Sequence, residues 1–593
     1  MGERDGVGFS GKIAAEEAEF DQEGQGDMPV KRRRSKPSAE PGRQAPRVAA
    51  AATPPRVSGS SLPVLLAGFA VFACACMVYW PTRRYPFLNW DDYEYILKNP
   101  LIQQVTWENI RAILTRPYFL NYLPLHLLSY MLDHALWGLK AGGYHLSSVL
   151  FHAVNSVLCL AVVRRMGGSR TVAAVAGLLF AVHPCHVEAV AWVSSRKDVL
   201  STTFMLLSLL FYLGCRSAGG FRPVPFVASV LAFLLGMLTK VSVVVLPAFL
   251  LLLDWMPGPR GPRTRPTPVW AIATKIPYGI AGLALVLVNS RAQVTAQAAY
   301  AHDPFRYLLV KGQAVWNYVI LLFGFGGSPD YDLPRVGVQP LETLFQLAGL
   351  IALPAVAWLL FRAKKRVPFL GVSWAFLALL PALLFPLVTY MADRYLYAPS
   401  LGFCWALATA VEGVASPSRR GAPSIRTVAA AALALIVLVG FTLRTVQYSR
   451  VWKDSDALWT FAMTKSRDYR VFNNLAQIRT EQKRWGEAER LLRKGAEAEN
   501  VTSHQSLGVL YYTQHRYEEA LRETDKALEI QSRKGRDLAL EAELHFNRGA
   551  ILWSVGKTEA AAEEWRTALR DNPSHAQARE WLGIVTRPSG SGP

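Results

Sequence analysis

The sequence predicts an all-α chain, a polytopic membrane domain of about eleven transmembrane helices followed by a soluble array of short amphipathic helix pairs. Three observations carry this. Apolar residues make up 51% of the 593 positions, and they fall in blocks of roughly 16–23, close to the ~20 residues that cross a hydrocarbon core. Lys and Arg outnumber Asp and Glu, 64 to 44, and the excess gathers in the N-terminal tail and the short loops between blocks. That pattern orients membrane helices, and no basic-aromatic groove points to nucleic acid. From about residue 469 the long blocks give way to a helical period with small residues at recurring positions.

Residues 1–60 are rich in Gly, Glu, Arg, Ala and Pro and include Lys31-Arg32-Arg33-Arg34. Such a segment buries too little apolar surface to offset its ordering entropy, which predicts a disordered basic tail held on the cytoplasmic side. No cleavable signal peptide is expected. The first block, Leu62 to Trp80, reads as a signal-anchor leading outward. The long segment 81–142 holds Asn89-Trp90-Asp91-Asp92 and an amphipathic helix around Trp107 to Leu114. Residues 123–138 contain His126, Asp133 and His134, too many ionisable groups for a span, so they are expected at the interface.

The later blocks are Tyr144–Val163, Thr171–Val190, Asp198–Leu213, 223–238, 242–256, Pro277–Asn289, Leu341–Phe361, Pro368–Leu384, Ala398–Val414 and Thr427–Leu443. Alternate loops carry Arg164-Arg165, Arg216 with Arg222, Arg260 with Arg263 and Arg265, Arg362 to Arg366, and Arg419-Arg420. Every loop assigned to the cytoplasm is therefore basic. Residues 306–326 hold Lys311 and Asn317, which favours an interfacial or re-entrant helix over a twelfth span. The predicted organisation is a tail over 1–60, a membrane domain over 61–446 and a repeat domain over 447–593. With eleven spans the repeats lie on the outer side.

In the C-terminal region Leu475-Ala476 is followed by Ala488. Leu507-Gly508 is followed by Tyr511, Tyr517, Ala520 and Ala527, and Gly549 by Leu552, Ala561, Trp565, Ala568 and Pro573. Positions 476, 508 and 549 are equivalent. Their spacing is near the ~34 residues of a tetratricopeptide (TPR) repeat, once an insertion near Ser532 to Ala542 is allowed. Such repeats stack into a concave surface suited to an extended protein partner.

Candidate chemistry gathers at the outer rim. Asp91 and Asp92 lie just beyond the first helix, where two carboxylates suit a general base or a divalent cation. His183, His186 and Glu188 are of metal-ligand type, but Pro184 breaks regular helical spacing. The better reading is a polar rim in which Arg196 and Lys197, with Asp198 beside them, meet a phosphate. Lys240 stands between two apolar blocks at the same level, and Asp393-Arg394-Tyr395 at another junction, where Arg394 suits bidentate phosphate binding. The six cysteines, all in or beside apolar blocks, form neither a disulfide framework nor a zinc spacing. Carboxylates and several cations at one membrane level fit a lipid-phosphate-linked donor whose tail lies in the bilayer, with an Asp deprotonating the acceptor hydroxyl.

On these residues the chain resembles the TMTC family, transmembrane O-mannosyltransferases with tetratricopeptide repeats, and their bacterial relatives. The resemblance rests on Asn89 to Asp92, on His183 to Glu188 with Trp192 to Asp198, on Met391 to Tyr397, and on Val451-Trp452-Lys453-Asp454. It implies a GT-C fold glycosyltransferase using a polyprenyl- or dolichyl-phosphate sugar, mannose or a similar hexose. The acceptors implied are Ser/Thr hydroxyls of a protein bound by the repeats, on the luminal or periplasmic face. It assigns Asp91 and Asp92 to catalysis. Ser195-Arg196-Lys197-Asp198-Val199-Leu200 is similar to the bacterial branch, which points to a bacterial inner membrane; the endoplasmic reticulum is the alternative. The competing reading is a non-catalytic membrane-anchored scaffold whose repeats recruit a protein.

Overall fold

The computed structural model describes residues 62–586 apart from 120, 218–219, 257–266, 293–302, 335, 337–338, 386, 388, 416–423, 498 and 536. The expected basic tail, and the loop arginines Arg260, Arg263, Arg265, Arg419 and Arg420, lie outside the described residues. The chain is all-α in character. Its described strands are the two-residue pair Arg216–Ser217 and Gly220–Phe221.

Among the described residues seven helices are long and apolar enough to cross a membrane: Leu62–Arg84, Ala141–Arg165, Val193–Cys215, Pro268–Ala292, Pro340–Arg362, Arg366–Leu384 and Ile425–Trp452. The pair Arg170–Val182 and Pro184–Ala191, bent by 50°, makes an eighth if it is one span. Pro223–Met237, Val241–Trp255 and Ser400–Val414 are apolar but shorter. These elements coincide with the eleven blocks read from the sequence. The expected continuous block Thr171–Val190 is instead broken at His183-Pro184. The proline lacks an N–H, and the chain leaves the helix with His183 at φ −68°, ψ 127°. Pro304–Leu322 is a 19-residue helix outside the candidate spans.

The bundle exposes apolar side chains around an interior that is itself mostly apolar but carries polar ties. Leu65, Phe69, Ile425, Leu435 and Ile436 are exposed, while Ser148, His152, Asn155 and Ser156 of one helix are fully buried. An exposed apolar belt of this kind is what lipid covers, and buried polar side chains tie helices together. His152 Nδ1 meets Tyr397 Oη at 2.8 Å, and Asn155 Nδ2 donates to Val199 O at 2.8 Å. The helices on either side of Asp393 approach backbone to backbone at Gly371 and Gly402. A Cβ on Gly402 would meet Gly371 O at 2.1 Å, so only glycine permits the crossing. Helix Pro124–Trp137 turns Leu132 and Leu136 outward and buries His126 and Asp133, as an interfacial helix must.

Beyond the last span, Ser455–Met463 is followed by three helical hairpins: Tyr469–Glu481 with Trp485–Ala496, Val501–Thr513 with Tyr517–Lys534, and Leu538–Ser554 with Thr558–Asp571. Ala576–Val585 packs on the last of them. Ala476, Ala488, Ala520, Ala561 and Ala568 are fully buried between paired helices. The turns repeat as well: Lys483, His515 and Gly556 carry positive φ of 59°, 60° and 79° at equivalent positions. His504 Nδ1 meets Glu523 and His545 Nδ1 meets Glu564, both at 2.7 Å, one repeat apart.

Candidate functional site

Four segments distant in sequence converge at one end of the bundle: the loop 86–92, the bend 183–198, the corner at Lys240 and the junction 390–400. Each is a place where an apolar helix ends, so its polar side chains meet one another instead of lipid.

A cavity of ≈ 250 Å³ opens among the last three of them; the loop 86–92 packs on the bend through Asp92 and Ser194 and does not line it. Lys197, Asp198, Lys240, Arg394 and Tyr395 form its polar side, with Ser201, Thr202, Ser242 and Asn289 beside them. Met205, Val243, Val286, Ala378, Pro381, Ala382 and Phe385 form an apolar wall. Lys240 is ion-paired with Asp198 and lies 5.1 Å from the Tyr395 ring centroid. The other oxygen of Asp198, Oδ2, is buried without a hydrogen-bond donor. Arg394 is ion-paired with fully buried Glu188, whose second oxygen also accepts from Arg394 N at 2.9 Å. Its guanidinium lies 5.4 Å from the Trp192 ring. Lys197 is different. Among the described residues it makes no hydrogen bond or ion pair; its ammonium sits 5.1 Å over the Tyr95 ring and feels the charge of Asp91.

The two acidic residues of the first loop have separate roles. Asp92 is 1% exposed. It accepts from Leu88 N at 3.0 Å, from Ser194 N at 2.9 Å and from the Ser194 hydroxyl. Burial pushes its carboxyl up to about 6 against these donors. With both oxygens engaged it fastens the loop. No group of three or more His, Cys, Asp or Glu is gathered for a metal among the described residues. Asp91 is half-buried and accepts no hydrogen bond among the described residues, so it is the free carboxylate of the loop.

Arg196, His183, His186 and Asp393 do not line the cavity. Arg196 is fully buried: it pairs with Asp133 at 2.6 Å and donates to Tyr144 O at 2.7 Å and Ser148 Oγ at 3.2 Å. It braces the Pro124–Trp137 helix. His183 and His186 are cross-ties, to Leu322 O at 3.0 Å and to Ser400 Oγ at 2.7 Å, and do not reach the cavity. Asp393 is fully buried and accepts from Tyr331 Oη and, at 2.9 Å, from Tyr448 Oη.

Burial, then the nearby Glu188 charge, pushes the Asp393 carboxyl up to about 7, against the tyrosine donors. Because this lies above the ordinary value of about 3.9, the native state holds the proton more tightly than the unfolded chain. The stability it contributes is full at low pH and is lost as pH rises through about 7. An asparagine keeps both tyrosine partners, accepting from one and donating to the other. Asp393→Asn is therefore expected to raise the melting temperature relative to the parent more at pH 8 than at pH 5, read by thermal denaturation in detergent.

Asn89, Trp90 and Asp330 anchor the site in ways that their places in the sequence do not announce. Asn89 is held wholly by the C-terminal domain: its N–H donates to Ser455 Oγ at 2.9 Å, its Nδ2 to Asn474 O at 3.3 Å, and its Oδ1 accepts from Trp459 Nε1 at 2.7 Å. Trp90 stacks on Trp192 at 4.3 Å and 16°, and lies 5.0 Å from Trp459. Asp330 pairs with Arg470 at 3.0 Å and accepts from Ser466 Oγ at 2.8 Å.

The fold and site thus define a polytopic membrane protein with a cationic pocket walled on one side by apolar helix surface, capped by a helical-repeat array. No protein-family model matches the chain. Its curated relatives carry one activity in their names. It is 25% identical over 507 residues to mouse protein O-mannosyl-transferase TMTC3, covering 77% of this chain and 54% of that one. It is 26% identical over 475 residues to Drosophila melanogaster protein O-mannosyl-transferase Tmtc3, covering 68% and 51%. A 101-residue stretch is 43% identical to mouse protein O-mannosyl-transferase TMTC2, 17% of this chain and 12% of that one. The chain spans about half the length of the TMTC3 relatives it matches. Among solved structures it is similar to ArnT from Cupriavidus metallidurans bound to undecaprenyl phosphate, with a TM-score of 0.36 and 16% identity, covering 70% of this chain and 81% of that one.

Proposed function

We propose that this protein is a membrane glycosyltransferase that moves a sugar, mannose or a similar hexose, from a polyprenyl- or dolichyl-phosphate to Ser/Thr hydroxyls of a protein. The observation that carries the reading is Lys197, an unpaired cation on a pocket with an apolar wall, beside the unengaged carboxylate of Asp91. An ammonium in that setting favours an anionic ligand that also has an apolar part, and a phosphate at the end of a lipid tail has both. Lys240 and Arg394 line the same pocket and add donors. In the reaction Asp91 takes the proton of the acceptor hydroxyl as its oxygen bonds to the sugar carbon. The bond from that carbon to the phosphate oxygen breaks, and the lipid phosphate leaves with the electron pair. Binding of the acceptor protein by the repeats, and a luminal or periplasmic site, belong to the same proposal. The relatives' names support the sugar and the acceptor class.

The test is transfer from labelled polyprenyl-phosphate mannose in membranes holding the chain, with dolichyl-phosphate mannose and other hexoses as parallel donors. Transfer to protein is expected; none from any donor overturns the reading. Lys197→Met is expected to keep folding and weaken donor use. A charge-assisted hydrogen bond is worth about 1.5–3 kcal/mol, so KM for the donor should rise about 10- to 150-fold, measured by initial rates over a donor titration.

A further inference from the structure

We propose that the repeat domain is a structural part of the active site: through Asn89 and Trp90 it holds the loop that presents Asp91, and so sets the rate of the chemical step. This rests on the glycosyltransferase reading above. Four consecutive residues divide the labour. The backbone N–H and both side-chain amide atoms of Asn89 are answered by the C-terminal domain, by Ser455, Trp459 and Asn474. Trp90 is packed between Trp192 of the membrane domain and Trp459 of the C-terminal domain. Asp92 is fastened to Ser194 and Leu88. Asp91 alone is unengaged. Its Cα is one ~3.8 Å step from each neighbour, so the two anchors fix where its carboxylate sits.

A second contact joins the C-terminal domain to the segment 330–332. Ser466 Oγ lies 2.8 Å from Asp330 and 2.7 Å from Asp332, its one hydroxyl proton serving either carboxylate, and Arg470 pairs with Asp330. Tyr331 between them donates to Asp393, the residue before Arg394. The C-terminal domain therefore touches both the loop of the proposed base and the segment that braces a phosphate-side arginine. A module that only collected acceptors would need neither contact.

Asn89, Ser455 and Trp459 are positioning residues on this view. A shift of about 1 Å in a reacting group costs on the order of 10²-fold in rate. The test uses the full chain carrying Ser455→Ala with Trp459→Phe, which removes the acceptor of the Asn89 N–H and the donor to its Oδ1 and keeps a ring against Trp90. The acceptors are a Ser/Thr peptide too short to span the repeats, and water, read as hydrolysis of the labelled polyprenyl-phosphate sugar. The expected result is a fall of about 10²-fold in kcat with both acceptors. The donor KM and the melting temperature should be unchanged, and Ser455→Thr, which keeps the hydroxyl, should retain the parent rate. Unchanged kcat with the short peptide and water overturns the proposal, as does a loss confined to whole-protein acceptors. If the variant melts early, Ser455→Ala alone decides by the same two readouts. A parent inert with every donor overturns the glycosyltransferase reading and this inference with it; an active parent unaffected by the substitutions overturns this inference alone.

Discussion

Replacing Asp91 by Asn is expected to lower sugar transfer about 10²- to 10⁴-fold, the range a positioned general base supplies, while the protein accumulates and melts as the parent does. The expectation follows from Asp91 accepting no hydrogen bond among the described residues, so that an amide there disturbs none of those partners. Asp92→Asn differs in kind. One of the atoms facing Leu88 N–H and the Ser194 donors becomes an N–H group itself. Two donors then oppose each other inside the protein, and stability should fall along with activity. Donor-saturated rates and thermal melts, taken together, separate the two residues. Equal transfer by Asp91→Asn and the parent would remove Asp91 from the chemistry.

Arg394→Met is expected to carry the largest stability cost, about 3–5 kcal/mol, because it leaves the fully buried Glu188 carboxylate without its cation. The double variant Glu188→Gln/Arg394→Met removes both charges and should regain most of the lost stability without regaining transfer. Chemical denaturation in detergent micelles measures the first part and the transfer assay the second. A single variant as stable as the parent would show that water already compensates Glu188.

Much of this architecture is legible in the sequence because lipid imposes a coarse rule. Apolar blocks and basic loops mark crossings whatever the packing, and even the short helices Pro223–Met237 and Ser400–Val414 stand out as blocks. The repeats are legible for a similar reason, since Ala476, Gly508 and Gly549 recur where paired helices approach. Facing is what the sequence hides. Arg196 and Lys197 are adjacent, so their side chains diverge by about 100° around the helix. One is swallowed by Asp133 and the other lines the pocket, and nothing in the pair Arg-Lys says which. Asp91 and Asp92 divide in the same way, Asp92 because Ser194 lies beneath it. Asn89 was invisible as an anchor because its partners Ser455, Trp459 and Asn474 lie hundreds of positions further along the chain. The histidines misled for a related reason. A buried imidazole that ties helices together has the same letter as one that binds a ligand, and only the neighbours, Leu322 and Ser400, distinguish them.

The ion pairs around the pocket have a consequence for its electroneutrality. Lys197, Lys240 and Arg394 are three positive charges; Asp91, Asp198 and Glu188 are three negative ones. At rest the set sums to zero, so it exerts little long-range pull on soluble anions, and binding should depend only weakly on ionic strength. Under the proposed chemistry the balance tips only during turnover. When the acceptor's proton neutralises Asp91 the set becomes net positive by one, at the moment the departing phosphate gains its second negative charge. Charge is thus matched to the transition state and not to the resting donor, which is where an enzyme gains rate from electrostatics.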